Sequence, residues 1–153
     1  MPDENDNVVP FEAPKKTPEE IRAAILKRRE DAEEKLKAAI EAKRAEDFGA
    51  AEEFLADTAN GYYEPEVTKP SLPTLVVFRR PTKAEASRYR SVSNKESIDA
   101  RLTARIDLAQ QIVLWPDAKG YAELVADCPF IPDKIAVMAI KLAEGEAKRE
   151  IKT

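Results

Sequence analysis

The chain has no histidine in its 153 residues. Imidazole is therefore unavailable as a general base or as a metal ligand, which removes histidine-based triads and most zinc sites. The single cysteine, Cys128, has no partner for an internal disulfide. Without histidine it also lacks its usual activating base. It sits between a helix end and Pro129 and reads as a small buried hydrophobe. Only four glycines occur, Gly49, Gly61, Gly120 and Gly145, too scattered for a phosphate-cradling loop. No apolar run approaches the ~20 residues of a membrane helix. The first ten residues are acidic where a secretory leader is basic. Carboxylates are plentiful, but they stand beside lysine and arginine in helix-forming sequence, as on solvated helix faces. These absences predict a non-enzymatic cytosolic protein with no catalytic residue, cofactor or metal.

What is present divides the chain in two. Residues 1–65 carry a net charge of −7 and residues 66–153 a net of +3, within a total of −4. Residues 1–16 hold three prolines, many charges and only Val8, Val9 and Phe11 as sizeable apolar groups. They read as a flexible acidic tail, or as a hook that docks on a partner. Thr17, Pro18 and Glu20 signal a helix start. From there residues 17–57 form a charged helical arm, in which Ile21, Ile25, Ala32, Leu36 and Ile40 make a thin apolar stripe. Arg28 interrupts that stripe, so a solvated helix and a coiled-coil arm are both open readings.

Residues 58–73, with Asn60-Gly61, Pro65, Pro70 and Pro73, read as a proline-rich linker. Residues 74–143 are expected to form a compact helical domain. Thr74–Phe78 is β-branched and short, one strand that needs a partner. The Glu64–Thr68 segment in a hairpin, or a strand of another chain, can supply it. Thr82 with Glu85 and Ser93 with Glu96 form capping boxes for the first two helices. Ile98, Leu102, Ile106, Ala109 and Val113 mark the second of these, running to about Leu114, with Leu108 and Ile112 widening its apolar face. Asp117 caps a third helix and Pro132 opens a fourth, which buries Ile131, Ile135, Met138 and Leu142. Residues 144–153 read as a charged tail. The fold class expected is mainly α: a small helical bundle with one short strand or hairpin, preceded by a long charged helix.

Candidate partner-binding residues follow from what folding alone leaves unexplained. Arg79, Arg80, Lys83, Arg88 and Arg90 lie within twelve residues against Glu85 alone, with Phe78 and Tyr89 interleaved. This run reads first as a solvated face, next as a surface for an acidic protein, and last as a nucleic-acid site using phosphate contacts and stacking. Trp115 is a core plug or an interface anchor. Ile135 and Met138 belong to the apolar excess of the last helix.

The order of these pieces resembles the tail assembly chaperones of long-tailed bacteriophages. The pieces are Phe78-Arg79-Arg80-Pro81-Thr82 with Glu85, then Ile112-Val113-Leu114-Trp115-Pro116-Asp117, then Cys128-Pro129-Phe130-Ile131-Pro132. The resemblance covers residues 74–143, and the long helix at 18–47 departs from the compact members of that family. It implies a small helical protein of the infected bacterial cytoplasm that keeps tail tube or tape-measure protein soluble before assembly. A structural component of the particle and a small nucleic-acid-binding regulator are the alternatives. Self-association through the long helix or a strand edge is a further expectation, and a membrane partner is not.

Overall fold

The computed structural model describes residues 15–94 and 97–152, with side chains through Gly145. The acidic tail expected at residues 1–16 lies outside the described residues except for its last two. The chain is mainly helical, with a three-stranded antiparallel sheet. It divides into one unit up to Ala38 and a second from Ala39 onward. Helix α1 (Pro18–Ala50) supplies residues to both. Its start is capped as its sequence suggests, with Thr17 Oγ1 accepting from the Glu20 N–H at 3.2 Å. In the first unit the stripe residues Ile21, Ile25 and Leu36 are exposed. Among the described residues no helix is long and apolar enough to cross a membrane.

The second unit contains the last turns of α1, then α2 (Glu52–Ala56), β1 (Gly61–Tyr63), β2 (Val76–Phe78), α3 (Lys83–Ser93), α4 (Ile98–Ile112), β3 (Val113–Trp115), α5 (Ala118–Asp127) and α6 (Ile131–Lys152). Strand β2 is central and pairs with β1 on one side and β3 on the other. The strand expected at Thr74–Phe78 thus finds two partners within its own chain, and neither is Glu64–Thr68. Gly61 lies opposite Phe78 and Tyr63 opposite Val76, while Val113 lies opposite Phe78 and Trp115 opposite Val77. The pairing with β3 is shifted between Val77 and Phe78. An extra residue there bends the strand locally.

Strand alternation explains how this short sheet holds two cores. Successive side chains point to opposite faces. Val76 and Phe78 face a cluster that includes Leu108, Ala109 and Ile112 of α4, Leu124 of α5, and Ile131 and Ile135 of α6. Leu75 and Val77 face Ala51 and the partly buried Phe48, Leu55 and Trp115. Phe48 and Tyr62 meet edge to face, with ring centroids 6.1 Å apart. Such contacts add modestly to the area that the rings bury.

The segment read as a linker belongs to this core. Pro65, Val67, Leu72 and Pro73 are buried. Its proximal anchor is Asp47, 1% exposed, whose carboxylate accepts from the Thr74 N–H at 2.8 Å, from Thr74 Oγ1 at 2.7 Å and from Lys43 Nζ at 2.7 Å. Proline clusters break helices, and here the breaks let an extended stretch pack down instead of spanning two bodies.

Helix boundaries follow their caps, with two differences. The Thr82–Glu85 capping box forms in both directions, and Asp117 Oδ1 accepts from the Gly120 N–H at 2.8 Å. Ser93, however, closes α3, and Ser97 caps α4 by accepting from the Ala100 N–H at 3.2 Å. Helix α4 ends at Ile112, because Val113 to Trp115 leave it to pair with β2. The charged C-terminal stretch continues α6 through Lys152 instead of forming a separate tail.

Candidate partner-binding surfaces

The fold separates residues that the sequence brings together. Phe78 is 1% exposed and Ile135 is 0% exposed, so both are core residues and neither is available to a partner. Their apolar character is accounted for by packing between the sheet, α4 and α6. Met138 is partly buried against the same cluster. Trp115 is half-buried over Leu75 and Val77, and borders a shallow hollow with Lys43, Pro73 and Pro116. The peptide bond from Trp115 to Pro116 is cis.

The arginine run is likewise divided. Arg79 donates from Nη1 and Nη2 to the two carboxylate oxygens of Glu85 at 2.7 and 2.8 Å. These bonds hold the Glu85 carboxyl down at about 2; burial opposes them, and the Thr82 N–H assists. The bidentate pair is close to neutral as a unit. Arg90 reaches Glu144 of α6 at 3.3 Å. Lys83 is exposed at the start of α3, and Arg80 is half-buried. Arg88 and the half-buried Tyr89 border a cleft of about 350 Å³ between α3 and α4, whose far wall carries Asp99, Thr103 and Asp107. The run therefore does not make one continuous basic face.

Helix α4 carries the feature that sequence reasoning misplaced. Ile98, Leu102 and Ile106, spaced by four, are 66%, 42% and 44% exposed. The core side of the same helix is Leu108, Ala109 and Ile112. Ile106 also borders an apolar groove of about 540 Å³ between α4 and α5, with Val113, Pro116, Tyr121 and Val125 in its walls and Gln110 as a polar side chain. The Tyr121 hydroxyl is buried with no hydrogen-bond partner among the described residues. Burial alone pushes its pKa up to about 12. The signal was present in the sequence as an apolar arc wider than one packed face requires.

Burial and the neighbouring Asp127 push the Cys128 thiol up, away from the reactive thiolate. Among the described residues no group of three cysteine, aspartate or glutamate side chains is placed to hold a metal. No protein-family model, no curated protein and no solved structure matches this chain.

Proposed function

We propose that this chain is a non-enzymatic binding protein of the tail assembly chaperone kind, which holds a tail tube or tape-measure protein soluble before assembly. The observation that carries the reading is the row Ile98, Leu102 and Ile106, exposed and continuous with the apolar groove at Ile106. Exposed contiguous apolar surface on a small domain marks interaction with another protein. The motif order from Phe78 to Pro132 supplies the class of partner. The heavily charged α1 suits a protein that must keep an apolar client in solution.

Co-expression with a tube or tape-measure protein tests this. The expected result is a higher soluble yield of the client and a co-purifying complex. No gain in solubility and no complex with either client would overturn the reading. Stoichiometric copies of the chain in purified virions would make it a component of the particle instead.

A further inference from the structure

Helix α4 stands as a ridge between two unlike flanks. On one side of the Ile98–Leu102–Ile106 row lies a parallel row, Asp99, Thr103 and Asp107, each displaced by one residue and therefore about 100° around the helix. These three side chains are exposed and form one wall of the cleft beneath α3. Among the described residues Asp99 and Asp107 make no ion pair within 4 Å. Glu85, in the same cleft, is already neutralised by Arg79. Among the described residues that line the cleft only Arg88 then stands against the two aspartates, so this lining is acidic although the sequence around Arg79–Arg90 is basic. On the other side of the row stand Arg101 and Arg105, the latter paired with Asp133 at 3.5 Å, and at Ile106 the row meets the apolar groove.

We propose that α4 docks an amphipathic helix of the client, with its apolar face on Ile98, Leu102 and Ile106. One apolar side chain enters the groove beside Val113 and Tyr121, and lysine or arginine along one edge reaches Asp99 and Asp107. The helix-in-groove mode needs apolar anchors at three- and four-residue spacing, which the row and groove match. The charge of the edge follows from complementarity: a basic edge meets the two aspartates, whereas an acidic edge would meet like charge. The inference rests on the binding-protein reading and specifies the chemistry of its partner.

The test uses the full chain and two synthetic helical peptides with the same leucine pattern, one with lysine and one with glutamate at the flanking positions. Fluorescence anisotropy should show the leucine–lysine peptide binding and the leucine–glutamate peptide at least tenfold weaker. The variant Asp99→Asn/Asp107→Asn should lose roughly fivefold to tenfold of the affinity for the lysine peptide. The control Glu33→Gln/Glu34→Gln changes the net charge equally and should leave it within twofold, which separates local complementarity from overall acidity. Leu102→Ser/Ile106→Ser, at exposed positions that do not support the core, should abolish binding of the lysine peptide. Equal binding of the two peptides would overturn the inference, as would indifference to the aspartate substitutions. A co-expressed client complex that survives the Leu102→Ser/Ile106→Ser change would sink the docking surface and leave the chaperone reading standing. Peptide binding that depends on these residues, without any client complex, would do the reverse.

Discussion

Replacing Asp47 with alanine should destabilise the second unit by about 3 kcal/mol, and the sign alone is diagnostic. Asp47 stands in the last turn of α1, where a negative charge opposes the helix dipole. On an exposed helix end its removal would stabilise by roughly 0.3–1 kcal/mol. Here the carboxylate is buried and accepts three hydrogen bonds, two of them from Thr74. Bonds to a charged acceptor are worth about 1.5–3 kcal/mol each, offset in part by the cost of burying the carboxylate. The alanine variant also leaves the Thr74 N–H buried without a partner, which costs about 1–3 kcal/mol. Lys43 is partly exposed and can turn to water, so its loss adds little. Thr74→Val keeps the N–H bond and loses only the hydroxyl, for about 1–1.5 kcal/mol. Urea unfolding followed by Trp115 fluorescence gives these differences by linear extrapolation. The double variant should show a coupling of at least about 1 kcal/mol, since both changes remove one shared contact. A stabilised or unchanged Asp47→Ala protein, or strict additivity with Thr74→Val, would refute the idea that this contact fixes the 65–75 segment to the end of α1.

Three other outcomes follow from the same structure. Gly61→Ala places a Cβ 2.6 Å from the Phe78 ring, so thermal unfolding should show a loss of about 1–3 kcal/mol, and Gly49→Ala, with open space around it, should show none. Glu85 has its carboxyl lowered from 4.5 to about 2, so its contribution is fully present above pH 4.5 and is lost as pH falls toward 2. Discounted for partial exposure, that is about 1–2 kcal/mol, and an acid titration of Glu85→Gln should lack this portion of the slope. Tyr121→Phe removes a buried hydroxyl that has no partner among the described residues and should leave stability unchanged or raise it by about 1 kcal/mol in chemical denaturation; a loss above that would mean the hydroxyl is satisfied.

The caps and breaks were legible because each is a local event. Thr17, Thr82 and Asp117 act within three residues of themselves, and the sequence shows both halves of each contact. The sheet was only half legible. Thr74–Phe78 announced a strand, but its partners lie outside the window in which hairpins are sought: Gly61–Tyr63 hides beside a turn signal, and Val113–Trp115 continues a helical pattern. The linker reading of residues 58–73 failed for a related reason. Proline excludes helix but says nothing about burial, and the contact that buries this stretch comes from Asp47, 27 residues before Thr74. The helix start expected at Ser93 falls at Ser97 instead, because α3 runs far enough to consume Ser93.

The exposure of Ile98, Leu102 and Ile106 was not legible because the sequence marks an apolar arc on α4 but not where along the helix packing begins. Strand β3 anchors the end of that helix. Ile112 is the last helical residue, its carbonyl accepts from the Arg79 N–H at 2.9 Å, and Val113 is already paired with Phe78. That anchoring fixes the rotation of α4 about its axis. With Ile112 held against the core, Leu108 and Ala109 come inward one turn earlier. Ile106 then lies about 120° around from Ile112, whereas Leu102 and Ile98 lie about 20° from the buried Ala109; those two are exposed because the packed stretch of α4 begins only at Leu108. The same rotation carries Asp99 and Asp107 beneath α3, opposite Arg88. The anchoring by a three-residue strand thus fixes which charge borders the exposed row, while the row itself is exposed because packing on α4 starts at Leu108. Arg79 and Arg90 of the nearby sequence are drawn off by Glu85 and Glu144, so the sign of the cleft beside α4 comes from pairing in space and not from composition alone.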